Sequence, residues 1–264
     1  MLVEPERTPY DLRFRLLGFP VRVHPWFWIA TLLLNGDGLL KLGAEYLLLW
    51  VVVVFVSILV HELGHALAYR WFGANANIVL YAFGGLAIAT HVVSGRGRRI
   101  LISLAGPIAG FLLFGLVYGT NRAFEWGESA DGRMPNGLES WFLYIQLFWV
   151  NLVWGLFNLL PVFPLDGGQV SREVCGSIWG LRGKRISLQI SFGVALVVVA
   201  YSLFCVIDSG QNGGGIMAGL PWWVLRGSVY TAILFGFLAY ESYQLLQRVE
   251  WTDTHWDDRL PWER

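Results

Sequence analysis

The residues in this chain best placed to do chemistry together are His61-Glu62-Leu63-Gly64-His65. In a helix the two imidazoles stand at i and i+4 on one face, where both can bind a single Zn²⁺. The glutamate between them can then act as a base toward a water at the metal. A catalytic zinc ordinarily has three protein ligands plus water, so one more is needed. A candidate lies in Asn158-Leu159-Leu160-Pro161-Val162-Phe163-Pro164-Leu165-Asp166-Gly167-Gly168. The prolines and glycines keep this segment from regular helix, so Asp166 can approach a metal from a direction of its own. The plainer alternative is a loop aspartate that caps the next helix. Asn158 also admits two readings. With Asn151 it can be interhelical hydrogen-bonding glue, or its amide can donate to a substrate or an oxyanion.

The surroundings of these groups are apolar. Of 264 residues, 55% are hydrophobic and 14% charged, against about a quarter charged in soluble domains, and the mean hydropathy is +0.52. Nineteen basic residues balance nineteen acidic ones with no basic block, which removes the electrostatic footprint of nucleic-acid binding. Two cysteines cannot build a disulfide framework or a Cys-rich zinc site. Fourteen tryptophans suit the interfaces of a membrane.

A transmembrane helix needs about 20 mostly apolar residues. Six stretches approach this, at residues 25–42, 46–71, 100–119, 140–160, 186–207 and 222–246. The first is short and interrupted by Asn35-Gly36-Asp37-Gly38. Counting positive charge tests the number. Fifteen of the nineteen basic residues fall in alternate connections and at the two ends, leaving Lys41, Arg122 and Arg133 opposite and Arg226 inside the last span. Basic residues mark the cytosolic side, so six spans with both termini cytosolic are predicted. The His61–His65 motif lies inside the second span, where ionisable groups are costly unless partnered or functional. With Arg70 and Trp71 at the interface, His65 would lie about 8 Å deep and His61 about 14 Å, at the helical rise.

Between the second and third spans, Asn77 to His91 carries two runs of strand formers around Gly84-Gly85, which predicts a β-hairpin. Backbone of this kind at membrane depth must be covered by protein. His24 and His91 have no helical partner at ligand spacing and are expected at the interface.

A hydrophobic helix bearing H-E-L-G-H, followed by N-L-L-P-V-F-P-L-D-G-G, resembles the site-2 protease family of intramembrane zinc metalloproteases, peptidase family M50. The likeness runs at motif level from Val21 to Gly168. It implies one Zn²⁺ per chain held by His61, His65 and Asp166, with Glu62 as the catalytic base. It also implies a substrate or oxyanion role for Asn158, with Pro164 shaping the approach of Asp166. The hairpin is then a re-entrant strand pair beside the zinc, with Gly84 and Gly85 at its centre, whose edge can hold an extended peptide by backbone hydrogen bonds. A structural plug is the plainer alternative for it. Ala105-Gly106-Pro107-Ile108-Ala109-Gly110 resembles the family's A-G-P-x-x-N stretch. Gly110 stands where the pattern has Asn, yet a small-xxx-small packing face is kept.

The expected architecture is an all-α polytopic membrane protein with about six transmembrane helices and a small re-entrant β-hairpin between helices 2 and 3. Its divisions are a cytosolic segment at 1–24, a transmembrane protease domain at 25–247 with core motifs at 46–168, and a short polar tail at 248–264. The resemblance implies a membrane-anchored protein substrate, a regulatory partner protein and residence in a bacterial or archaeal cytoplasmic membrane. The rival readings are a membrane metal-binding transporter and a non-catalytic adaptor relative. A transporter explains buried polar groups, but it explains neither a glutamate beside a metal ligand nor the lack of an internal repeat.

Overall fold

The computed structural model describes residues 5–39, 43–82, 84–129, 131–134, 136–180, 182–212 and 229–255. The chain divides into two compact units, Leu2–Leu159 and Leu160–Arg264. The first contains β1 (Leu12–Leu16), β2 (Phe19–Val23), α1 (Pro25–Leu39), α2 (Ala44–Trp71), β3 (Ala76–Tyr81), β4 (Gly84–Ala89), α3 (Arg96–Phe124) and α4 (Leu138–Asn158). The second contains α5 (Asp166–Trp179), α6 (Arg182–Asn212) and α7 (Val229–His255).

Among the described residues, α2, α3, α4 and the Arg182–Asp208 stretch of α6 are long and apolar enough to cross a membrane. With these four helices the chain is an integral membrane protein. The outward face of α3 shows the apolar solvent directly. Leu101, Ile108, Leu112 and Leu116 are exposed on it, while Ser103, Gly106 and Gly110 are buried on the other side. An apolar stripe of this size on a long helix is a lipid-facing surface. α1 has 15 residues, or roughly 22 Å, short of the roughly 30 Å hydrocarbon core. Asn35 to Gly38 lie within α1 and do not interrupt it. Residues 222–228 of the sixth predicted span lie outside the described residues, and α7 carries on past position 248 to His255, into the segment expected as a polar tail.

The chain is mostly helical, but the all-α expectation needs correcting. The predicted hairpin forms β3 and β4, paired antiparallel from Ala76↔Ala89 to Tyr81↔Gly84. It is half of a four-stranded sheet of order β1-β2-β3-β4. Residues 12–23, expected only as part of a cytosolic N-terminal segment, supply the other half, with β2 parallel to β3 through Val21↔Ile78 and Val23↔Leu80. Two strands alone are marginal, whereas four with one apolar face are not. Phe19, Val21 and Val23 point into the core with Ile78 and Leu80, against Phe27 of α1 and Val53 and Ile58 of α2. Arg22, at the alternate position, is held on the other side by Asp11 Oδ2 at 3.2 Å and the Pro5 carbonyl at 2.9 Å.

The β1–β2 turn, Leu17-Gly18, lacks the usual Asn-Gly signal of a two-residue turn. Both residues have positive φ, 50° and 87°, as a two-residue turn of matching twist requires. Leucine is disfavoured there. Arg70, at the end of α2, holds the tip by donating to the Leu17 carbonyl at 2.9 Å with its guanidinium 4.4 Å from the Phe19 ring centroid.

α2 is the axis of its unit and packs on α1, α3, α4, β3 and β4. Its approach to α3 uses the small-residue face: a Cβ at Gly64 would fall 2.8 Å from Ala109 Cβ, so only glycine fits. In the second unit α6 packs on both α5 and α7. α5 is too short and too polar to span, so a search for apolar spans passes over it.

Candidate metal centre

His61, Glu62 and His65 fall on the buried middle of α2 and offer ligand atoms within 4.8 Å of one another. The helical i, i+4 spacing brings the two imidazoles edge to face, with ring centroids 4.9 Å apart. Their Nε2 atoms are 3.2 Å apart. His65 Nδ1 lies 2.7 Å from the Ile102 carbonyl on α3. A carbonyl only accepts, so Nδ1 carries the proton and Nε2 of His65 presents its lone pair to His61. A neutral imidazole whose far nitrogen is fixed in this way is the usual form of a metal-ligating histidine. The donor set therefore fits a divalent cation held between the two Nε2 atoms.

α3 makes room for this pair. A Cβ at Gly106 would lie 2.5 Å from His65 Cε1 and 2.7 Å from His61 Nε2, so the rings occupy the space that any other residue would fill. β4 closes on Glu62 in the same manner, since a Cβ at Gly85 would lie 2.5 Å from Oε1 and 2.6 Å from Cδ. Tyr81 of β3 shares this pocket. Its phenol is pushed above its ordinary range by burial and, secondarily, by the Glu62 charge.

Within the first unit, then, His61, Glu62, His65 and Gly85 form one cluster. Gly84 begins β4 with φ 118° beside the Trp154 ring, 3.1 Å from where a Cβ would stand. Both glycines thus have a steric reason to be glycine, the close approach of β4 to its neighbours. Asn158 ends α4, half-buried, and donates from Nδ2 to the Trp154 carbonyl at 2.9 Å. In the second unit Pro164 follows Phe163 through a cis peptide bond, and Asp166 is the buried first residue of α5. Neither the Ile102 carbonyl nor the clearance at Gly106 was anticipated as part of the site. A backbone acceptor leaves no mark in sequence, whereas Gly106 sits in the Ala-Gly-Pro stretch that was read only for packing. His24 is buried at the start of α1, where Nδ1 accepts from the Trp26 N–H at 3.2 Å and its own N–H donates to the Leu80 carbonyl at 2.9 Å.

Known proteins resemble this chain. The family model for peptidase family M50 matches residues 133–200. A zinc metalloprotease of Methanocaldococcus jannaschii is 26% identical over 74% of this chain and 54% of its own length. A putative zinc metalloprotease of Synechocystis is 28% identical over 81% of this chain and 57% of its own length. The solved site-2 protease from Methanocaldococcus jannaschii superposes with a TM-score of 0.57 at 22% identity, over 90% of this chain and 95% of that one. The chain is similar to peptidase family M50 and shares the fold of a site-2 protease. It spans about half the length of these curated relatives. The stretch that matches the family model contains Asn158, Pro164 and Asp166 but not the histidine motif, so the family match and the α2 cluster are independent observations.

Proposed function

We propose that the chain is an intramembrane zinc metalloendopeptidase that hydrolyses a peptide bond in or near a transmembrane segment of a membrane-anchored protein, in regulated proteolysis. The observation that carries this is the paired Nε2 atoms of His61 and His65, 3.2 Å apart, with Glu62 beside them in an apolar helix. His61, His65 and Asp166 would hold one Zn²⁺ per chain. For Asp166 the support is its place in the L-D-G-G motif and its burial as the first residue of α5. When bound, the zinc supplies a Lewis acid that polarises the scissile carbonyl and lowers the pKa of a water toward about 7.

Glu62 takes the proton of the attacking water at its carboxylate and returns it to the leaving amine. The Ile102 carbonyl keeps His65 in its ligating tautomer throughout. Substrate must be extended, because a helix hides its carbonyls. β4 is an edge strand of the sheet and lies against Glu62, so its free side can add an extended peptide as a fifth strand. Asn158 has a second N–H on Nδ2 besides the one given to Trp154, and that donor is available to a substrate carbonyl or to a developing oxyanion. Pro164 shapes the chain that delivers Asp166.

The finer membrane placement belongs to the same proposal. α1 and α7 accompany the four long apolar helices to make six membrane helices, β3 and β4 re-enter from the cytosolic side, and both termini are cytosolic. The distribution of fifteen of nineteen basic residues supports this. The test is Glu62→Gln in the full chain. It should retain zinc and abolish cleavage of a membrane-anchored substrate, and unchanged cleavage would remove Glu62 from the mechanism.

A further inference from the structure

The segment that delivers Asp166 has a hydrogen bond no local motif accounts for. Between α4 and α5, the Val162 N–H donates to the Leu160 carbonyl at 2.7 Å and the Leu165 N–H to the Val162 carbonyl at 2.8 Å. Pro164 has no N–H to give. The remaining donor of this turn, the Phe163 N–H, leaves the segment and donates to Ser191 Oγ of α6 at 2.8 Å. Ser191 Oγ in turn lies 2.7 Å from Ser242 Oγ of α7, and either hydroxyl can donate to the other. Both serines are fully buried, at 1% and 0% exposure. One residue further along each helix, Phe192 and Tyr243 meet with ring centroids 6.0 Å apart, which fixes the register of α6 and α7 at this level.

The first turn of α5 rests directly on the anchored backbone. A Cβ at Gly168 would lie 2.5 Å from Phe163 N and from the Val162 carbonyl carbon, and the Gln169 N–H closes the turn on the Leu165 carbonyl at 3.0 Å. Asp166 lies between these two constraints. Wherever the Phe163 backbone goes, the first turn of α5 must follow, because glycine at 168 leaves no slack.

We propose that Ser191, backed by Ser242, is a positioning residue for Asp166, tying the third metal ligand to the packing of α6 on α7. This rests on the reading of Asp166 as a ligand. An apolar interior has no water to replace a lost partner, so removal of the Ser191 hydroxyl releases the Phe163 N–H and lets the 162–166 turn move. Ser242 acts one step back by holding the Ser191 hydroxyl in place. A change in the α6–α7 contact would therefore reach Asp166 through the Phe163 backbone.

The experiment measures Zn²⁺ affinity of the purified full chain in detergent, by competition with a chromogenic chelator, with helix content checked by circular dichroism. Ser191→Ala should weaken binding about 10-fold, the low end for supporting partners of ligands. Ser191→Thr, which keeps the hydroxyl, should restore most of it. Ser242→Ala should fall between. Ser202→Ala, at another buried hydroxyl of α6, should bind as the unaltered chain does. If Ser191→Ala does not fold, Ser191→Cys, whose sulfur is a weak acceptor, should give an intermediate loss. Unaltered zinc affinity in Ser191→Ala, alongside a large loss in Asp166→Ala, overturns the role of Ser191 and leaves Asp166 a ligand. Unaltered affinity in Asp166→Ala overturns both.

Discussion

The backbone of Gly85 lies directly against the carboxylate of Glu62, so that a Cβ at position 85 would fall 2.5 Å from Oε1. A single strand thus both lies at the edge of the sheet and confines the proposed base. Gly85→Ala must displace one or the other. A misplacement of about 1 Å at a reacting group costs on the order of 100-fold in rate, so cleavage should fall by about that factor while zinc content, set by other residues, stays at one per chain. Parallel measurements of cleavage and bound metal check this, and full activity in Gly85→Ala would show that Glu62 has room to spare.

Gly106 and Gly110 lie one helical turn apart on α3 but face different neighbours. A Cβ at 106 would strike both imidazoles, whereas one at 110 would meet the Asn151 carbonyl at an ordinary 3.7 Å. Gly106→Ala should therefore lose zinc and destabilise the fold by about 1–3 kcal/mol, the usual range for overpacking. Gly110→Ala should keep its metal. Equal zinc content in the two variants would mean that α3 yields easily at the site.

Asn151 of α4 donates to Ser57 Oγ at 3.0 Å and to the Leu147 carbonyl at 2.8 Å, deep in the first unit. Ser57 is one turn before His61 on α2, so this bond fixes the histidine helix against α4. Polar pairs between membrane helices average about 0.6 kcal/mol and reach about 1.7. A double-mutant cycle with Ser57→Ala and Asn151→Ala, read by unfolding in a lipid-like solvent, should give a coupling in that range. A vanishing coupling would assign the amide to the Leu147 carbonyl alone.

Asp11 gives the N-terminal strands a pH dependence. Burial works to raise its pKa, but the hydroxyl and N–H of Thr8 and the guanidinium of Arg22 outweigh it and hold the group at about 2, against an ordinary 3.8. A folded value below the unfolded one means that the carboxylate stabilises the native hairpin above about pH 4, and that this contribution fades as pH falls toward 2. Amide exchange across β1 and β2, corrected for its intrinsic rate, should accelerate over that interval. Asp11→Asn should flatten the profile, and an identical profile in the variant would locate the titration elsewhere.

The α2 cluster was legible without coordinates because its logic is local. His61 and His65 share a face through the helical period, and an apolar run long enough to span identifies the helix. The β3–β4 hairpin was legible for the same reason, from strand formers placed around Gly84-Gly85. The N-terminal strands were not. Leu17-Gly18 is an atypical turn, held by an arginine from the far end of α2, and β2 pairs with a strand that α1 and α2 separate from it in the chain. α5 escaped notice because it is amphipathic and short, in a chain read for long apolar spans.

Sequence alone determined that this is a membrane protein with two histidines and a glutamate on one helical face, since residue spacing and hydropathy are properties of contiguous chain. The tertiary structure decided which nitrogen of His65 is protonated, through a carbonyl on α3. It also decided that Gly106 yields its space to the imidazoles, that β4 stands over Glu62, and that the Asp166 turn is tied to α6. Each of these depends on atoms brought within about 3 Å from distant parts of the chain, and only the closure of long loops onto a packed core specifies such distances.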